Sequence, residues 1–221
     1  SWYEHYFAKR QPNHSCGEIA PTLFRNSLAR QLLLESFPEC RIIISLRRPV
    51  ERTYSHFLHA RANGRVPSNF FEAIRVRPSI LDAGRYHIHA PAWERAFKPA
   101  NIHYVFAERI STEPESVCGE LLNFLELKNI YIEPPGRKIG AGLEARSFLL
   151  SRYARGISRA LRSAHLDGIV NLGKTFGRPA LYRKRIATTM PDDVYQFLES
   201  EHSEDLRYYT ERLAIHKPSG L

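Results

Sequence analysis

The residues with the clearest chemical potential lie in the run Ile42-Ile43-Ile44-Ser45-Leu46-Arg47-Arg48-Pro49-Val50-Glu51-Arg52-Thr53-Tyr54-Ser55-His56-Phe57. An apolar stretch ends at Arg47, and the hydroxyl of Ser55 follows about two helical turns later. A guanidinium offers a rigid fork of donors for two oxygens of a phosphate or sulfate, and a short hydroxyl reaches a third. A helix starting between them adds its positive end to the same field. The chemistry implied is the holding of an anion; an ordinary helix start with a surface Arg and Ser would carry the same residues. A second basic stretch, Pro134-Pro135-Gly136-Arg137-Lys138-Ile139-Gly140-Ala141-Gly142, combines cations with glycines that let backbone approach a nucleotide, or forms a plain solvated loop. His56 and His59 lie three apart, and His87 and His89 flank Ile88, but no Cys or acidic partner spacing completes a zinc set. No metal is expected, and these histidines suit an acceptor pocket better.

These residues need elements to position them. Cys40 to Leu46 reads as a short β-branched strand buried on both faces. Upstream, Leu28, Leu32, Leu33 and Phe37 recur at helical spacing, and Pro38 closes that helix. Pro49 suits the first turn of a helix over about Val50 to Ala62. A second buried strand is predicted at Asn101 to Ala107, with Glu108 at its end. Ser111-Thr112-Glu113-Pro114-Glu115 then caps a helix whose apolar face is Val117, Leu121, Leu122 and Leu125. Glu144 to His165 carries Phe148, Leu149, Tyr153, Ile157 and Leu161 at helical intervals among arginines, which predicts a long basic amphipathic helix. Further helices are predicted at Asp192 to Glu199 and Ser203 to Leu213, before a fraying Lys217-Pro218-Ser219-Gly220 tail. Alternating strand and helix predicts an α/β fold, a parallel sheet flanked by helices, with ligands outside the carboxyl ends of the strands.

A chain of 221 residues, 43% hydrophobic, can bury one substantial core, so residues 1–221 are expected to form a single domain. Its 32 Lys+Arg against 23 Asp+Glu give a formal charge of +9, which favours anionic ligands. Nucleic acid is one such ligand, but no RNA- or DNA-binding motif is present and the aromatics fall at core spacing, so no nucleic-acid partner is expected. Three scattered cysteines indicate neither a disulfide framework nor a Cys-x-x-Cys site and fit a reducing compartment. No apolar run reaches the roughly 20 residues of a membrane span, and nothing resembles a signal peptide.

The strand ending at Arg47, followed by Pro49, Arg52 and Ser55, resembles the sulfotransferases that use 3'-phosphoadenosine 5'-phosphosulfate (PAPS), especially the heparan sulfate type and its bacterial relatives. That family has Arg-Asn/Asp-Pro, an Arg, then Ser-x-Tyr; here Arg48 replaces the Asn or Asp and Phe57 the Tyr. Trp2-Tyr3, Phe7 and Gly17-Glu18-Ile19-Ala20-Pro21 resemble the family ahead of this motif. Gly84-x-Tyr86, Trp93, Phe97 and Glu108-Arg109-Ile110 resemble it downstream, collinearly over about residues 1 to 130.

The resemblance implies a P-loop NTPase-like sulfotransferase fold with a helical C-terminal part. It implies an enzyme that transfers a sulfuryl group from PAPS to a hydroxyl or amine of an acceptor such as a carbohydrate or small metabolite. Arg47 and Ser55 would hold the 3'-phosphate, Arg52 would support the helix, and Arg137 and Lys138 lie roughly where the family places a late PAPS-contacting loop. Glu18 is the nearest family-matched carboxylate for a catalytic base, although Ile19 stands where the family often has Lys, and a cap or an ion pair with a neighbouring Arg would serve that acid equally. No Lys-Gly-Thr-Thr-type loop or Gly-x-x-x-x-Gly-Lys-Ser/Thr run is present, so the family's N-terminal strand and phosphate loop are expected upstream of Ser1. Competing readings are a basic nucleic-acid-binding module or a P-loop nucleotide kinase whose loop is absent. The expected location is cytoplasmic, or the Golgi lumen in a eukaryote.

Overall fold

The computed structural model describes residues 15–127, 143–145, 147–148, 182–184 and 189–216. Helix α1 spans Ser27–Ser36, and its N-terminus is capped by Asn26, whose side chain accepts the Ala29 N–H at 3.0 Å. Strand β1 (Ile42–Leu46) follows, then α2 (Pro49–Ala62), α3 (Phe70–Val76), α4 (Ser79–Asp82) and α5 (Tyr86–Ala96). Strand β2 (Ile102–Phe106) runs directly into α6 (Ala107–Thr112), which is followed by α7 (Pro114–Phe124). Two short strands, β3 (Leu143–Ala145) and β4 (Tyr182–Lys184), precede α8 (Asp192–Glu201) and α9 (Ser203–Ile215).

Strands β1 and β2 pair in parallel, in a register running from Ile42 opposite Ile102 to Leu46 opposite Phe106. The connection between them is the set of helices α2 to α5, as a parallel crossover requires. One core packs Ile44, Leu46, Tyr104 and Phe106 of the strands against Tyr86, Ala90 and Trp93 of α5 and Tyr209 of α9. The Trp93 indole N–H donates to the Phe24 carbonyl at 2.8 Å, so the polar edge of this ring is satisfied while its body is buried. A second core joins Val50, Tyr54 and Phe57 of α2 to Phe70 and Ala73 of α3, Ile80 of α4, and Val194 and Leu198 of α8. Helix α2 therefore shares a core with α3, α4 and α8, while α9 packs on the strand core through Tyr209.

Three expectations differ from the structure. β1 is not buried on both faces: Ile44 and Leu46 are inside, whereas Ile43 is 43% exposed and Ser45 faces outward. A β-branched run fits a pleated surface but does not say how many of its faces are covered. Ser111 and Thr112 do not cap the helix after β2. They end α6 and turn their hydroxyls back to the carbonyls of Ala107 and Glu108, while Glu113 caps α7 with Pro114 at its first turn. Glu144 and Ala145 do not begin a helix, because β3 pairs antiparallel with β4 and its backbone groups are used in that ladder. Of the rest of that expected helix, Ser147 and Phe148 are described, with Phe148 helical, and residues 146 and 149–165 lie outside the described residues.

Candidate anion-binding site

Arg47 emerges where the β1–β2 ladder ends, and Arg48 becomes the N-cap of α2, with Pro49 in the first turn. Proline suits that place because its ring presets φ and its missing N–H is one the helix start leaves unpaired anyway. Two groups hold the backbone of this corner. The Tyr86 hydroxyl donates to the Arg47 carbonyl at 3.0 Å and lies 3.4 Å from the Arg47 amide nitrogen, which donates to it. Glu108, in the first turn of α6, accepts the Arg48 N–H through Oε1 at 3.2 Å and the Tyr209 hydroxyl of α9 through Oε2 at 2.6 Å. A carboxylate at the start of α2 also meets the positive end of that helix. Burial, joined by the Glu108 carboxylate, pushes the Tyr209 phenol well up, so it stays a donor.

The backbone is held while the side chain stays free. Arg47 is exposed, and among the described residues its guanidinium has no acid, carbonyl or ring partner. Ser55 is likewise exposed, and its hydroxyl has no protein partner among the described residues. It lies about 9 Å along the axis of α2 from Pro49. A guanidinium on a held backbone and a hydroxyl, both without competing protein contacts among the described residues, are donors of the kind that a bound phosphate or sulfate needs.

The neighbouring arginines are committed elsewhere. Arg52 donates to the Ile80 carbonyl at 3.3 Å, tying α2 to α4, and burial pulls its guanidinium below its usual value. That agrees with a supporting role. Arg48 bonds Glu51 at 2.8 Å and the Tyr195 hydroxyl of α8 at 3.3 Å, so it fastens α8 to the start of α2.

Glu18 is exposed in the segment ahead of α1, and Arg137 and Lys138 lie outside the described residues. His87 and His89 are engaged by carboxylates of different elements, His87 by Asp205 and Glu204, His89 by Asp82. His56 packs with its Nδ1 buried and without a hydrogen-bond partner. Burial, with Arg52, Arg77 and His59 nearby, lowers it to about 4. Sequence reasoning gave no role to Tyr86 or Glu108 and did not single out Tyr209. Their partners lie far along the chain; Gly84-x-Tyr86 and Glu108-Arg109-Ile110 matched the family pattern and Glu108 stood at the end of a predicted strand, but neither observation named a partner.

A family profile described as the sulfotransferase domain matches residues 6–133, which is more than half of the chain. The chain belongs to the sulfotransferase domain family. It is 26% identical over 128 residues to a bifunctional heparan sulfate N-deacetylase/N-sulfotransferase 1 of Caenorhabditis elegans, covering 52% of this chain and 15% of that protein. It is 24% identical over 140 residues to the human heparan sulfate glucosamine 3-O-sulfotransferase 6, covering 59% of this chain and 40% of the relative. The chain thus spans less than half the length of these curated relatives. The crystal structure of a sulfotransferase from Alicyclobacillus acidocaldarius superposes with a TM-score of 0.56 at 15% identity, over 77% of this chain and 70% of the other. The fold is that of the α/β sulfotransferases. Among the described residues no helix is long and apolar enough to cross a membrane.

Proposed function

We propose that this chain carries the 3'-phosphate-holding part of a PAPS-dependent sulfotransferase, acting on a hydroxyl or amine of a carbohydrate or small metabolite. The observation that carries the reading is the pairing of a clamped backbone with a free side chain at Arg47, followed about two turns along α2 by an equally free Ser55. Arg47 and Ser55 hold the ribose 3'-phosphate, and Arg52 keeps α2 in place. In the transfer, an acceptor oxygen or nitrogen forms a bond to sulfur as the bond from sulfur to the donor's phosphate oxygen breaks, and a base takes the acceptor proton. Glu18 is proposed as that base, and Arg137 and Lys138 as further contacts to the nucleotide. The formal charge of +9 favours an anionic acceptor, in keeping with the heparan sulfate named in the relatives above.

The test compares adenosine 3',5'-bisphosphate, adenosine 5'-phosphate and ATP as stabilisers of the folded chain, since a ligand of the native state raises its melting temperature. The bisphosphate should stabilise most, and Arg47→Ala should weaken its binding by about 1.5–3 kcal/mol, the range for hydrogen bonds to charged groups. Equal stabilisation by adenosine 5'-phosphate, preference for ATP, or an Arg47→Ala variant with wild-type affinity would overturn the reading.

A further inference from the structure

Two residues before Ser55 on α2, Thr53 points inward and is fully buried. Its hydroxyl lies 3.0 Å from Nε2 of His202, a fully buried residue between α8 and α9. Nδ1 of His202 lies 2.7 Å from Oδ2 of Asp205, which is 1% exposed. The other oxygen of Asp205 takes the His87 backbone N–H at 3.1 Å and meets His87 Nδ1 at 2.6 Å. His87 Nε2 ends the chain at the surface, 3.0 Å from Glu204. An ionised Asp205 accepts only, so Nδ1 of His202 carries a proton, and Nε2 shares one hydrogen bond with the Thr53 hydroxyl, which can either give or take the proton. Burial works against the ionised acid, yet bonds from His202 and His87 outweigh it and hold Asp205 below the usual carboxylate range.

Hydroxyl, imidazole and carboxylate in this order are the parts of a nucleophilic triad. Here, no substrate can reach the hydroxyl, because Thr53 and His202 are both 0% exposed. The order serves a different purpose. The His202 ring packs on Gly84: a Cβ at that position would lie 2.9 Å from His202 Cε1 and 2.9 Å from Thr53 Oγ1. Two residues after Gly84 stands Tyr86, whose hydroxyl brackets the Arg47 peptide. One imidazole is therefore wedged between the helix that carries Ser55 and the turn that fixes Arg47.

We infer that His202 and Asp205, with Thr53, are positioning residues of the anion site: the C-terminal helix pair sets the spacing between Arg47 and Ser55 by locking α2 to the Gly84–Tyr86 turn. The inference rests on the function proposed above. It also gives a role to a segment beyond the matched residues 6–133.

The experiment measures binding of adenosine 3',5'-bisphosphate and of adenosine 5'-phosphate by calorimetry to wild type, Thr53→Val, Thr53→Ser, His202→Gln and Arg47→Ala, below the unfolding temperature of each. Thr53→Val and His202→Gln should lose about fivefold to tenfold in bisphosphate affinity, as expected for one hydrogen bond's worth of positioning, and leave the weaker 5'-phosphate affinity unchanged. Thr53→Ser should come back to within about twofold, because it restores the hydroxyl. Should the buried variants not fold, His87→Asn at the half-exposed end decides, with an expected loss of about twofold to threefold for the bisphosphate alone. Wild-type bisphosphate affinity in the folded variants, or equal loss of both ligands, overturns the inference. If Arg47→Ala also keeps its bisphosphate affinity, the proposed function itself fails; if only Arg47→Ala loses it, the positioning role fails alone.

Discussion

Tyr86 and Arg47 are joined twice: the phenol donates to the Arg47 carbonyl at 3.0 Å and accepts from its amide at 3.4 Å. The tyrosine is 3% exposed, and burial raises its phenol, so the donor persists through neutral and mildly alkaline pH. Replacing Tyr86 by Phe keeps the ring in the core and deletes both bonds. Stability should fall by about 1 kcal/mol, and bisphosphate affinity by a further severalfold, as the Arg47 peptide gains freedom. Paired urea unfolding and calorimetry check both; a stability loss with wild-type affinity would mean that the phenol does not set the side chain of Arg47.

Gly84→Ala tests the close approach of the turn to His202 and Thr53. A methyl 2.9 Å from both must displace them, and neither is the loose end of a long side chain. Overpacking of this kind costs about 1–3 kcal/mol, which for a chain of this size lowers the melting temperature by roughly 2–4 °C per kcal/mol. A melting temperature within experimental error of wild type would show that the ring yields freely.

His56 gives the folded state a pH dependence whose sign is fixed. Its folded value, about 4, lies below the ordinary 6.5, so the unfolded chain binds more protons between those limits. Stability therefore rises with pH from about 4 to 6.5 and then levels. Because the ring is only partly buried, solvent screening keeps the uptake on unfolding below one proton. His56→Gln should flatten the slope of the urea midpoint across this window but not abolish it, since burial also lowers His103. An unchanged slope in the variant would contradict this assignment.

Arg109, 7% exposed, donates to Glu120 at 2.6 Å and 3.0 Å, to Glu113 at 3.2 Å and to the His216 carbonyl at 3.2 Å. It joins α6 to α7 and to the end of α9. Arg109→Ala leaves two carboxylates facing one another and should cost about 1.5–3 kcal/mol by chemical unfolding, whereas Arg109→Lys, a point charge without the fork, should recover only part. Full recovery by lysine would mean that charge alone matters here.

The strand–helix corner was legible in the sequence because its signals are local. A β-branched run fixes β1, Pro49 marks the start of α2, and the hydroxyl at Ser55 follows at helical spacing. The parallel pairing followed from strands separated by helical segments. What holds the corner was not legible. Tyr86, Glu108 and Tyr209 act through bonds between residues from 39 to 101 positions apart, and Thr53 meets His202 across 149. No pattern of period 2 or 3.6 encodes such a meeting. A short helix such as α4, four residues long, also leaves too little periodicity to recognise, although it supplies the carbonyl that holds Arg52.

The bond from Arg48 to Glu108 closes a loop of 60 residues, and that from Thr53 to His202 closes one of 149. During synthesis on the ribosome, Arg47 and Ser55 thus emerge long before the helix pair that braces them. Nascent chains halted short of α9 should show little protection of this corner from protease, and ligand-responsive protection should arise only once α9 has cleared the exit tunnel. Contacts so distant in sequence make acquisition of the binding site a late event in folding.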